Sequence, residues 1–303
     1  MADDIPFDRS FDAAPYAVSQ ITPLIRRVLA NNPSPFTFTG TCSYIVGKGT
    51  VAIIDPGPED ARQTEALLAA TRGETVSHIV ITHTHRDHSP GAAALKAATG
   101  AMLVGCGPHV AARALAEGEA KRLDAAADTD YAPDAVIADG ESVVFGDLEL
   151  VAVATPGHTM NHLAFAFPAE NSLFCGDHVM AWSTTIVAPP DGSMGAYMAS
   201  LDKLRQRSEC VYWPGHGGPV TDPQRFVRAI AGHRRARESA ILQRIQGGDQ
   251  LISEIVPKLY EGVDPRLHGA AALSVFAHVE NLVARGILVS DGPPTLTGAY
   301  RVT

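Results

Sequence analysis

No stretch of this 303-residue chain approaches the ~20 consecutive apolar residues that a membrane-spanning helix needs, so no membrane partner is expected. The opening residues, MADDIPFDRSFD, are acidic and lack a basic start followed by an apolar run, so neither a secretory signal nor a transit peptide is expected. Cysteine is scarce. Cys42, Cys106, Cys175 and Cys210 lie apart, in or beside apolar runs, with no C-x-x-C pair. That argues against a disulfide framework and suits buried, reduced thiols in a cytoplasmic protein. There is no G-x-S-x-G elbow and no cysteine set beside a histidine, so neither common side-chain nucleophile is in evidence. Positive charge is also short. The net charge is -9, and residues 1 to 221 carry 14 Lys/Arg against 25 Asp/Glu, a net -11. Residues 222 to 303 carry 10 against 8, a net +2. An acidic larger part gives no general support for nucleic-acid binding. Hydrophobic content of 46% with a mean hydropathy of +0.03 fits a water-soluble globular chain, long enough for one large domain and a small one.

What is present, and concentrated, is histidine. His83-Thr84-His85-Arg86-Asp87-His88 puts three imidazoles and a carboxylate into six residues. It follows the apolar run Val76 to Thr82, which reads as a buried strand, and Ser89-Pro90-Gly91 comes straight after it. Imidazole and carboxylate are ligands of zinc-like cations. In an extended backbone, residues two apart point to one side, so His83 and His85 can grip one ion. Asp87 and His88, past the bend, can face a second. Three more segments have the same character: Thr155-Pro156-Gly157-His158, Cys175-Gly176-Asp177-His178 and Trp213-Pro214-Gly215-His216. Each sets a His or Asp directly after a Gly where an apolar strand ends, and glycine there permits a close backbone approach.

HTHRDH, PGHT, GDH and PGHG, in that order and preceded by Ile53-Ile54-Asp55-Pro56-Gly57, resemble the metallo-β-lactamase superfamily over about residues 40 to 217. The resemblance implies a four-layer αββα sandwich within the α/β class. It implies His83, His85 and His158 on one metal, Asp87, His88 and His216 on the other, and Asp177 bridging the two. Asp55 would support the ligand loop; its other reading is a turn-forming Asp-Pro-Gly. Two cations sharing a water lower its pKa from ~16 towards ~7 and act as Lewis acids on the substrate, so no side-chain nucleophile is required. The resemblance also gives Asp87 a catalytic part in steering that hydroxide and moving a proton. Five imidazoles and two carboxylates point to two zinc ions, with iron or manganese as alternatives. Secreted lactam-cleaving members would normally carry a signal peptide; since none is expected here, an antibiotic-resistance role is not expected.

Among the remaining candidates, His178 points either into the site or into the core. His162, opening the strand Leu163 to Phe167, reads as a hydrogen-bonded structural residue. His78, His109, His233, His268 and His278 have no ligand partner at useful spacing and read as ordinary residues. Arg86 faces either an anionic substrate or a local carboxylate. Val179 to Gly195 reads as a long loop lining a pocket, with Trp182 as a substrate contact or as loop packing.

Along the chain, residues 36 to 55 read as strands turning at Gly47-Lys48-Gly49. Helices are expected at Pro58 to Arg72, His88 to Ala98, Pro108 to Glu117 and Met194 to Gln206. Residues 119 to 140 read as an excursion or loop. The catalytic domain is expected to span 1-221 and a second unit 222-303. That unit has a long arginine-bearing helix from Pro223 to Gln246 and a short helix at Leu251 to Tyr260. A third helix at Ala270 to Ala284 puts Leu273, Phe276, Val279, Leu282 and Val283 on a core face, and a hairpin follows. Helices followed by a hairpin look like a winged helix. The arrangement is similar to the metallo-β-lactamase subfamily with a C-terminal winged helix, in which one animal member is an endoribonuclease acting on single-stranded RNA. A unit so weakly charged also fits simple packing against the catalytic domain, or a homodimer contact. The main expectation is therefore a dinuclear zinc hydrolase cleaving an ester, thioester or amide of a small-molecule substrate. A metal-dependent endoribonuclease on single-stranded RNA and a non-catalytic binding module are the alternatives.

Overall fold

The computed structural model describes residues 5–115, 119, 126–262 and 264–303. Among these, β1 (Val18–Gln20), β2 (Ile25–Leu29), β3 (Cys42–Lys48), β4 (Thr50–Ile54), β5 (Thr75–Ile81), β6 (Met102–Gly105) and β7 (Ala135–Val136) lie side by side in that order in one sheet. Pairing is antiparallel from β1 to β4 and parallel from β4 to β7. The second sheet runs β12 (Val211–Pro214), β11 (Ser172–Gly176), β10 (Leu163–Phe167), β9 (Leu148–Ala154) and β8 (Ser142–Phe145).

The alternation of strand side chains builds the layers. Leu163, Phe165 and Phe167 of β10 enter a core shared with the first sheet, which also takes in Leu67 of α1 (Ala61–Ala70) and Leu95 of α2 (Gly91–Thr99). Ala164 and Ala166 face the other way, onto Met194, Tyr197 and Leu201 of α3 (Met194–Leu204). The result is helices, sheet, sheet, helices: an α/β sandwich.

Strand direction then positions the site. β11 and β12 are parallel, and β9 and β11 are both antiparallel to β10. So β9, β11 and β12 finish at one edge, where His158, Asp177 and His216 follow. In the first sheet β4 and β5 are parallel, which brings Asp55 and His83 to one end.

Beyond the second sheet, α4 (Pro223–Gln246) begins with Asp222 as N-cap and Pro in the first turn. Its first half gives Phe226, Val227, Ile230 and Ala231 to the core around α3. Its last turns give Ile241 and Ile245 to a third core with α5 (Ile252–Leu259), α6 (His268–Ala284) and the antiparallel pair β13 (Leu288–Ser290) and β14 (Tyr300–Val302). This is the helices-plus-wing arrangement expected for the C-terminal part.

Three expectations need correction. Residues 108–115 form no helix, and 116–117 lie outside the described residues. Tertiary bonds fix this stretch instead: Asn161 Nδ2 donates to the carbonyl of Gly107 (2.8 Å), and Ala112 N to that of Pro190 (2.7 Å). Within the 119–140 excursion, β7 pairs with β6, while 120–125 lie outside the described residues. Leu273 belongs to none of the three cores among the described residues, although helical spacing had put it on a core face. No helix of the described residues is long and apolar enough to cross a membrane.

Candidate metal centre

Five imidazoles meet where the two sheets end. Each uses its outer nitrogen on a hydrogen-bond partner of this chain, and those partners fix the tautomers. His158 Nδ1 donates to the carbonyl of Ile186 (2.7 Å), and His216 Nδ1 to that of Gly40 (3.1 Å). His88 Nδ1 donates to Asp55 Oδ2 (2.9 Å). His83 Nδ1 donates to Thr82 Oγ1 (3.0 Å), whose own proton goes to Asp55 Oδ2 (2.6 Å). His85 is turned the other way, its Nε2 donating to Asp191 Oδ2 (2.7 Å).

The inner nitrogens face one another, and in the neutral tautomers that these partners select they carry the lone pairs. His85 Nδ1 lies 3.2 Å from His83 Nε2 and 3.0 Å from His158 Nε2, while His88 Nε2 and His216 Nε2 are 3.3 Å apart. Lone pairs at such distances repel unless a positive charge sits among them. Three groups here are close enough to hold a metal ion: His83, His85 and His158; Asp87, His88 and His216; and Asp55, His83 and His88. Asp177 stands between the first two, Oδ2 being 3.2 Å from His216 Nε2 and 3.6 Å from His158 Nε2. Its Oδ1 is buried and makes no hydrogen bond among the described residues. A buried carboxylate oxygen left over in this way fits a cation ligand.

The electrostatics agree with that fit. Burial, then the neighbouring His88 and His85, hold His83 well below its ordinary pKa, and burial with His85 brings His158 down to about 4. Both are thus neutral, as ligation requires. Against the cost of burial, Asp87, Asp177 and Asp55 push His88 well above its ordinary value, and Asp177 with Asp87 pushes His216 up to about 10. The carboxylates thus favour positive charge at this spot, whether it is carried by protons or by a bound cation.

Glycines at the strand ends leave the needed room. A Cβ on Gly215 would stand 2.5 Å from Asp177 Oδ1 and 2.6 Å from His88 Cε1. One on Gly176, which has a φ of +48°, would stand 2.6 Å from His162 Nε2. Asp55 accepts from Thr82 N (2.8 Å) as well as from Thr82 Oγ1 and His88, so it supports the ligand loop.

The other candidates separate cleanly. His162 stacks on His83 with ring centroids 5.1 Å apart and bonds Thr155 Oγ1 (2.8 Å), a structural part. His178 is buried against Tyr197, ring centroids 4.5 Å apart, and joins none of these ligand groups. Trp182 stacks on Phe38 at 4.9 Å, packing its loop down. Arg86 lines the cavity above the cluster. Two residues were missed. Asp191 holds His85, and its other oxygen lies 3.2 Å from Nε2 of His109, a histidine read as ordinary. His109 Nδ1 in turn meets Thr84 Oγ1 (2.9 Å). Neither residue belongs to a motif; the only hint was a carboxylate in the Pro-rich loop after Asp177.

Residues 36–216 match the family model for the metallo-beta-lactamase superfamily. The chain belongs to that superfamily. Residues 252–293 match the beta-lactamase associated winged helix domain. An atrochrysone carboxyl ACP thioesterase, AgnL7, of Paecilomyces divaricatus is 32% identical over 253 residues, covering 81% of this chain and 73% of its own. A beta-lactamase-like protein 2 homologue of Drosophila melanogaster is 30% identical over 281 residues, covering 90% and 92%. The crystal structure of a beta-lactamase domain protein from Burkholderia ambifaria superposes with a TM-score of 0.77 at 18% identity, over 98% of this chain and 97% of that one, and shares the fold. This metallo-beta-lactamase superfamily member is thus a hydrolase.

Proposed function

We propose that the chain hydrolyses an ester, thioester or amide of a small substrate with two zinc-class cations. His83, His85 and His158 would hold one, Asp87, His88 and His216 the other, and Asp177 both. The carrying observation is the gathering of five imidazoles, four of them within 4.0 Å of the Asp177 carboxylate, beside a cavity of about 690 Å³ that His85, His158, His216 and Asp177 line, a volume typical of small-molecule sites. When bound, such cations supply an activated water and polarise the substrate oxygen.

The chain's own residues do the rest. The five outer hydrogen bonds set each ring before any ligand arrives, which keeps the reorganisation cost low. Asp87 has a side chain 26% exposed where that of Asp177 is 8%, so it is the more open of these two carboxylates lining the cavity. Thr41 Oγ1 steadies it from behind at 3.2 Å. There Asp87 takes a proton from the attacking water and passes it to the leaving group. A relative named as a thioesterase supports the same class of bond.

RNA cleavage is the second reading, favoured by Arg225, Arg228 and Arg235, which are exposed along α4. The cavity itself favours the small substrate: among the described residues its lining has one guanidinium, Arg86, and, apart from the histidines, one aromatic side chain, Phe36. A single-strand groove wants a basic track and stacking aromatics.

The test is metal analysis with a parallel assay on thioester, ester, lactam and labelled single-stranded RNA. Two metals per chain and turnover of a thioester or ester are expected, with Asp87→Ala costing at least ~10²-fold. Metal-replete protein that is idle on every acyl substrate sinks the reading. RNA cut in a metal-dependent, steeply salt-sensitive way would install the second.

A further inference from the structure

We infer that the substrate's acyl group is an apolar chain, and that the C-terminal module selects it through Leu273. This rests on the hydrolase reading above and names its substrate class.

Four large apolar side chains line the cavity that reaches His158, Asp177 and His216: Phe36, Met180, Ile186 and Leu273. Among the described residues, Phe36, Ile186 and Leu273 belong to none of the three hydrophobic clusters, while Met180 is buried in the wall. They come from three separate parts of the chain: the segment before β3, the loop after β11, and α6. Apolar residues gathered outside the cores around one hollow mark a ligand surface. Phe36 is 55% exposed at the mouth, while Met180 is only 4% exposed in the wall.

The wall is held in shape. The carbonyl of Ile186 accepts from His158 Nδ1 at 2.7 Å. The hydroxyl of the preceding Thr185 donates to the carbonyl of Asp177 at 2.6 Å. Arg234 of α4, buried, donates to the carbonyl of Thr185. The same loop segment thus touches the ligand cluster on one side and the C-terminal module on the other.

Leu273 completes the wall from that module. One helical turn further along α6, Ala277 packs into the core around α3 rather than into the module's own core. Residues four apart share a helix face, so Leu273 lies on the side turned to the catalytic sheets. Ala271, Val275 and Val279 fill the module's own core. The winged helix thereby contributes a side chain to the substrate cavity. In the reaction, water adds to the acyl carbon, the C–O or C–S bond breaks, the alcohol or thiol leaves with a proton, and the carboxylic acid is released.

The experiment compares acetyl, butanoyl, hexanoyl and octanoyl thioesters on the metal-loaded full chain. Wild-type kcat/KM is expected to rise about fourfold per buried methylene, carried mainly by KM. Leu273→Ala should cut the octanoyl-over-acetyl ratio roughly tenfold, and Leu273→Met should restore it. Calorimetry of octanamide and acetamide on metal-free protein supplies a readout that needs no turnover. Octanamide should bind the wild type more tightly, and Leu273→Ala should erase much of the difference. Acyl turnover with no chain-length preference and no octanamide advantage overturns the inference while leaving the hydrolase reading intact. Octanamide binding through Leu273 without any acyl turnover overturns the hydrolase reading and, with it, the acyl substrate, leaving only an apolar binding cavity. If Leu273→Ala fails to fold, the wild-type slope and Leu273→Met still decide.

Discussion

Replacing Asp191 should loosen metal binding without unfolding the protein. Asp191 Oδ2 accepts from His85 Nε2 at 2.7 Å, and that bond is what leaves the His85 Nδ1 lone pair facing His83 and His158. Without it, the imidazole is free to carry its proton on Nδ1 and present N–H to the cluster. The lost bond is charge-assisted and largely shielded from solvent, worth about 1.5–3 kcal/mol. Outer carboxylates of this kind typically account for about 10–100-fold in metal affinity. Asp191→Asn keeps one acceptor oxygen and should fall near the lower figure. Asp191→Ala keeps none and should fall near the upper. The assay is a zinc competition titration of metal-free protein against a chelating dye, with circular dichroism as the check on folding. His109→Ala, which touches Asp191 from its other side at 3.2 Å, should give a smaller loss in the same titration. If Asp191→Ala takes up zinc as tightly as the wild type, the tautomer argument is wrong for this residue.

Gly215→Ala should purify with less metal, because its new methyl would stand 2.5 Å from Asp177 Oδ1; full occupancy by metal analysis would show that the strand end yields more easily than the contacts imply. Acid should weaken the C-terminal module through His278, which burial, aided by Arg234 and Arg237, brings down to about 3 from an ordinary 6.5. Below pH 6.5 the unfolded chain takes up a proton that the folded one refuses, so stability falls progressively from there towards pH 3. Between pH 6.5 and 5 this residue should cost about 1.5 kcal/mol. Urea denaturation of metal-free wild type and His278→Leu at the two pH values reads that difference, and equal losses in both would refute it.

The strand-end ligands were legible because each sits beside its own strand, with glycine and histidine adjacent in the chain. Local spacing therefore carried their placement. The parallel run of β9, β11 and β12, which brings them to one edge, followed only once the fold was known. Asp191 stayed hidden because it reaches His85 across 106 residues and belongs to no motif. Leu273 misled for another reason. Helical periodicity tells which residues share a face, and tertiary packing decides what that face meets. The strands β1 and β2 also escaped notice, since Arg26 and Arg27 interrupt the apolar pattern of β2 even though Arg27 is mostly buried. The expected helix from Pro108 gave way, over its described part, to bonds from Asn161 and to Pro190 that no local propensity reveals.

One unbroken rod of 24 residues, α4, roots its beginning in the core around α3 and its end in the core of the winged helix. Such a strut leaves no hinge between the two units. Swinging the winged helix away from the mouth would mean snapping the rod or tearing out Phe226 and Ile230, so substrate must enter past the loops, through a doorway whose far jamb stays put.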